Sequence, residues 1–212
     1  MQRRYEMTVA DKAEKETGRI EAFSDGVFAI AITLLVIDLK VSPASGSEGL
    51  IYKLLEEWPR FLAFLTSFAT ILILWVNHHN LFNHIVRSNI LFMFLNGSLL
   101  FCVTFVPFPT SLVAEYMGDQ GETTAMVLYS GTMLAMAFAY NILWRYASRK
   151  HRLLSKSVTA GQVKSINRQY LVGPVFYGLA FLLAFVNVTT SLFLMIALAL
   201  FFAVTASVSR EK

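Results

Sequence analysis

The sequence holds one cysteine, Cys102, among 212 residues, so no disulfide can close within the chain and a disulfide-built scaffold is excluded. Charge is scarce as well. Asp, Glu, Lys and Arg make up 15% of the residues, against about 25% in an ordinary soluble domain. A disordered chain and a soluble multidomain enzyme both need more polar residues or more length than this. Apolar residues are what the chain has in quantity: 56% of the total, with a mean hydropathy of +0.55. At about 20 residues per membrane-spanning helix, that is enough for roughly six spans, with almost nothing left for an aqueous domain.

Six hydrophobic segments can be read, at 22–39, 61–83, 89–109, 124–144, 171–187 and 190–208. The fold class is therefore an all-α membrane protein with six transmembrane helices. Punctuation supports these limits: Ser42, Pro43, Ser45 and Gly46 follow the first segment, Pro107 and Pro109 close the third, and Gly173 and Pro174 open the fifth. The stretch Asn187 to Thr190 must be a tight helical hairpin, and its Asn187-Val188-Thr189 sequon reads as chance. Lys and Arg gather on one side of this scheme. Fifteen of the 18 fall before span one, after spans two and four, or at the C-terminus; Lys40, Lys53 and Arg60 fall opposite. By the positive-inside rule both termini are cytoplasmic, in a multi-pass protein of the cell membrane. Residues 1–18 are then a polar cytoplasmic segment, disordered or helical, 19–209 the membrane domain and 210–212 a tail. The net charge of +4 reflects this same bias, and no nucleic-acid partner is expected. A cleaved signal peptide is disfavoured, because Asp25 interrupts the start and the apolar run is too long.

The first span carries the chemistry. An ionisable residue in a membrane helix is costly and faces protein or a water-filled path, which marks Asp25, with Arg19 and Glu21 before it. A network that merely pins helices together is an equal alternative for Asp25. Arg19, Phe23, Gly26, Ile30, Thr33 or Leu34, and Ile37 follow at steps of three or four and share one helical stripe. Asp25 lies about 140° from Ile30, so it and Ser24 turn back toward other helices, where Trp75, Asn77, His78, His79 and Asn96 offer polar partners.

Arg19, Phe23, Ser24 and Asp25 match the RxxxFSD signature of the TMEM175 family of cation channels, and Gly26 to Val36 (GVFAIAITLLV) resembles the same first helix. With one such motif and no visible internal repeat, the chain resembles prokaryotic single-repeat members. The resemblance implies a homotetramer with the first helix of each subunit around a central pore. It also implies a hydrophobic constriction at Ile30, further pore layers at Leu34 and Ile37, and a selectivity role for Thr33. The permeant ions would be potassium and other monovalent cations, and no cofactor or metal is expected.

A ring of Ile30 side chains would form an apolar neck that gates by dewetting, and no TVGYG-like carbonyl filter occurs, so only modest preference for potassium over sodium is expected. Asp38 either concentrates cations at the outer mouth or pairs with Lys40 as an anchor. Two other classes compete. A membrane metalloenzyme could use His78, His79 and His84, but His79 and His84 diverge by about 140° around a helix, and His151 stands alone on a loop. A carrier would be expected to show repeats or broken helices near mid-membrane. Elsewhere, Tyr52, Trp58, Trp144 and Tyr146 read as interfacial belts, and Ser130, Gly131, Ala135 and Ala139 as close helix packing. The basic loop from Arg145 to Arg168 either meets anionic lipid or simply sets orientation.

Overall fold

The computed structural model describes residues 9–39 and 49–208, with side chains described within 17–37, at 39 and within 49–202. Lys40, the Ser42 to Gly46 punctuation, the Asp38 side chain and the terminal basic residues Arg3, Arg4, Arg210 and Lys212 lie outside that set. Every described element is helical, apart from an isolated antiparallel bridge between Ile85 and Leu154. In order these are α1 (Val9–Leu34) running into a 3₁₀ turn (Leu35–Asp38), α2 (Leu50–Glu56), α3 (Trp58–Phe82), α4 (Ile90–Phe105), α5 (Pro107–Tyr116), α6 (Glu122–Ser148) with a 3₁₀ turn (Arg149–His151), α7 (Ala160–Ala184) and α8 (Val188–Val208). Four helical stretches are long and apolar enough to cross a membrane: Thr17–Ile37, Trp58–Phe82, Ile90–Tyr116 and Glu122–His151.

α6 forms the centre of the packing, with Met126, Met133, Met136, Leu143 and Trp144 fully buried against α4, α5, α7 and α8. Ser67 on α3, Thr110 on α5 and Tyr129 on α6 close a buried hydroxyl cluster, at 2.8 Å and 3.2 Å from the Ser67 oxygen. Such pairing is what lets polar groups sit inside an apolar bundle.

The prolines do not sit where the sequence punctuation places them. Pro107 and Pro109 do not close the third segment; α4 passes into α5 through Val106, whose backbone is helical, and the run continues to Tyr116. Pro107 cannot donate to the Val103 carbonyl four residues back, and the Val106 N–H donates to that oxygen instead at 3.2 Å, so the proline tightens the run locally and does not end it. Gly173 and Pro174 do not open the fifth segment. α7 starts at Ala160, where Thr159 and Gln162 form a capping box. Pro174, inside the helix, cannot donate to the carbonyl of Tyr170 four residues back, and the side-chain amide of Asn141 on α6 donates to that oxygen instead. Gly173 meets Ala137 there, with room for little more than a Cβ.

Trp144 is not an interfacial belt residue: it is buried and its indole N–H donates to Asn167 Oδ1 at 2.8 Å. Tyr52 and Trp58 are exposed. Of the small residues on α6, Ser130 is buried and Gly131 faces Phe181, but Ala135 is exposed because it lies on the outer face. The α7–α8 hairpin is tight, with Asn187 Oδ1 accepting from the N–H of Thr190 at 2.8 Å.

Candidate functional site

α1 has two chemically distinct faces. Thr17, Ser24, Phe28, Ala31 and Leu35, spaced by three, four or seven residues, are all buried against α3, α4 and α5. Phe23, Ile30, Leu34 and Ile37 are 67%, 58%, 40% and 60% exposed, and Arg19, Gly26 and Thr33 are exposed beside them. An apolar stripe turned away from its own chain's core is either lipid-facing or an interaction surface. Thr33 Oγ1 donates to the Ile30 carbonyl at 2.9 Å. Its proton is thereby committed to the helix, while its lone pairs remain outward.

Two acidic residues of α1, Glu21 and Asp25, lie on the flank between these faces, and both are held. Trp75 Nε1 donates to Asp25 Oδ1 at 2.8 Å. One turn along, His79 Nδ1 lies 2.8 Å from Glu21 Oε1. Both pairs use i, i+4 spacing on each helix, and the register runs opposite ways along α1 and α3, so they are successive rungs between antiparallel helices. The Trp75 and His79 rings are stacked, with centroids 6.4 Å apart.

A second chain of hydrogen bonds runs through the buried face. Asn96 Nδ2 on α4 donates to Ser24 Oγ at 2.9 Å, and Ser24 Oγ donates to the Ile20 carbonyl at 2.8 Å. With the amide nitrogen so used, Asn96 Oδ1 is an acceptor, and His78 Nε2 donates to it at 2.9 Å. The His78 ring is completely buried between Phe28 and Phe82, and its Nδ1 has no hydrogen-bond partner among the described residues. α1 is thus fixed to α3 and α4 by a buried chain of hydrogen bonds through Ser24, Asn96 and His78 and by two half-buried rungs, and in the buried chain each lost partner is expensive.

Of the expected partners, the structure brings Ser24, Asp25, Trp75, His78, His79 and Asn96 together. Asn77 does not join them; it lines a separate cavity between α3, α6 and α7 with Thr70, Tyr140 and Tyr170. Arg19 and Phe23 border an open cleft of about 550 Å³ between α1 and the start of α4. The Glu21–His79 rung carries a sequence signal of its own: Glu21 and Asp25 repeat the four-residue spacing of Trp75 and His79. The histidines do not converge. His84 stands edge-on to Trp144 with centroids 6.2 Å apart, and no three potential metal ligands cluster among the described residues.

Comparison with known proteins bears on this arrangement. A family described as endosomal/lysosomal potassium channel TMEM175 matches residues 19–107. A potassium channel of Chamaesiphon minutus is 48% identical over 92% of this chain and 97% of its own length. A potassium channel of Streptomyces collinus is 43% identical over 84% of this chain and 86% of its own. The crystal structure of a lysosomal potassium-selective channel TMEM175 homolog from Chamaesiphon minutus superimposes with a TM-score of 0.83, at 47% identity, covering 91% of this chain and 98% of that one.

Proposed function

The chain belongs to the TMEM175 family of potassium channels, and from that premise we propose that it passes potassium through a pore lined by the exposed stripe of α1. It is a multi-pass, all-helical membrane protein. The two-faced character of α1 carries the reading: one side is fastened to α3 and α4, and the other presents Ile30, Leu34 and Ile37 to whatever lies outside the protomer.

In this reading four copies assemble around the stripe. Ile30 forms the narrowest ring, with Leu34 and Ile37 above it, and conduction requires the ring to widen enough to wet. Thr33 offers hydroxyl oxygens that can only accept, since the proton is bound to the Ile30 carbonyl. Partly dehydrated cations are stabilised there, and potassium, which is less strongly hydrated than sodium, loses less on entering. Selectivity over sodium is modest, other monovalent cations pass, and Asp38 lies at the outer mouth. α7 and α8 complete six spans. α8, with 21 residues, reaches roughly 31 Å at about 1.5 Å per residue, and α7 enters the hydrocarbon layer through its apolar part from Tyr170 to Ala184.

The same reading puts residues 1–18 and 210–212 in the cytoplasm of a cell-membrane protein, 19–209 in the channel domain, and assigns no enzymatic activity, cofactor, metal or nucleic-acid partner. The experiment is reversal-potential measurement on the reconstituted protein under opposed potassium and sodium gradients. A potential between zero and the potassium limit is expected. Electrically silent or strictly exchange-coupled transport would replace the channel with a carrier.

A further inference from the structure

Resting on the membrane-channel reading, we propose that the turn joining α6 to α7 is a preformed docking surface for anionic phospholipid headgroups, built from Arg149, Lys150, Arg152 and Lys156. Between Glu122 and Glu211 the chain contains no Asp or Glu. All four cations are exposed, and none has a carboxylate partner among the described residues. By contrast Lys53 and Arg60, at the opposite end of the bundle, each pair with a glutamate, at 2.8 and 2.6 Å.

Placement along α6 favours a lipid surface. Phe138, Ile142, Arg145 and Arg149 follow at steps of four, three and four, so they share one stripe. The first two are about half exposed apolar side chains, and the stripe becomes cationic within roughly 10 Å, seven residues at about 1.5 Å each. A helix that leaves hydrocarbon in this way puts its guanidinium groups at the level of lipid phosphates.

The turn is held in shape. Val86 and Arg87 N–H groups donate to the Leu153 carbonyl at 3.0 and 3.2 Å, and Ser155 N–H donates to the His84 carbonyl at 3.0 Å. Leu153, Leu154 and Ile85 are buried beneath it. Lys150 and His151 both take left-handed backbone, with φ of 56° and 50°, which costs energy in non-glycine residues and reverses the chain so that its cations point outward. Arg152 lies over the Tyr146 ring, 5.4 Å from its centroid. Less ordering entropy is then lost when a phosphate is bound than for a free basic tail.

The test incubates the full-length protein in neutral detergent with equal phosphatidylglycerol and phosphatidylcholine, and measures the lipid retained after washing by mass spectrometry. Retention should favour phosphatidylglycerol by about fivefold or more and fall at high salt. The variant R149Q/K150Q/R152Q/K156Q should bring the ratio close to one, while K53Q/K164Q/R168Q should leave most of it. Equal losses in the two variants would mean that bulk positive charge, not this turn, selects lipid, and would overturn the proposal. Displacement of the lipid by inorganic phosphate would also overturn it, in favour of a free-anion site. Lys156→Glu alone, checked for an unchanged melting temperature, keeps the test open if the fourfold variant misfolds. Potassium flux of the unmodified protein in phosphatidylcholine vesicles separates the two readings. Flux with a retention ratio of one overturns the lipid site alone, and a biased ratio without flux overturns the channel alone.

Discussion

The Trp75 indole and the Asp25 carboxylate meet at 2.8 Å, about one helical turn from the Glu21–His79 contact on each of the two helices. Two polar rungs in register fix both the rotation and the height of α1 against α3. Trp75→Phe keeps most of the packing and leaves the carboxylate without its donor, so it should lower stability by about 1–3 kcal/mol. Asp25→Asn should cost less in the Trp75→Phe background than alone. A double-mutant cycle by thermal unfolding in detergent measures the coupling, and strict additivity would show that the contact carries no energy.

Asn96 is the hinge of the buried chain from His78 to Ser24. Asn96→Ala removes a partner from both ends at once and should destabilise by about 2–4 kcal/mol, one unsatisfied penalty for each. Ser24→Ala frees only the amide end and should cost less. Equal losses in the two melting curves would contradict the chain of donors from His78 through Asn96 to Ser24.

Much of this site was legible beforehand. Polar side chains at 24, 25, 75, 78 and 96 stand out against apolar runs, and hydrocarbon obliges them to find each other. The exposed stripe follows from steps of three and four. Pro107, Pro174 and Trp144 are not legible in the linear sequence, because their meaning depends on residues distant in sequence or on position within a turn. Pro174 reads as a boundary until Asn141 is seen supplying the Tyr170 carbonyl, and Trp144 reads as interfacial until Asn167, on the next helix, is seen accepting its N–H.

That exchange at Pro174 predicts that the cost of losing Asn141 depends on the proline. Pro174→Ala restores an N–H able to reach the Tyr170 carbonyl, so the helix no longer depends on Asn141. In the native background Asn141→Leu should cost about 1–3 kcal/mol, the desolvation penalty of an unpaired buried carbonyl. In the Pro174→Ala background the same change should be nearly neutral. Equal effects in both backgrounds, read from unfolding midpoints, would show that Asn141 acts elsewhere.

The residues of the proposed pore should behave differently. Ile30→Asn should raise potassium flux into liposomes by relieving the apolar neck, and Thr33→Val should move the reversal potential toward equal permeability for potassium and sodium. Neither side chain is buried within its own subunit, so thermal stability of the isolated subunit should change by less than about 0.5 kcal/mol. Conductance indifferent to changes at Ile30, Thr33, Leu34 and Ile37 would place the ion path elsewhere.

The division of α1 into a fastened side and an open side also separates two kinds of inheritance. Substitutions at 24, 28, 31 or 35 are tested first by whether the chain folds, while those at 30, 33 or 37 escape that test and, in the proposed channel, are judged by what it conducts. A lineage carrying this helix can therefore explore new ion preferences by single steps, each starting from a subunit that still folds.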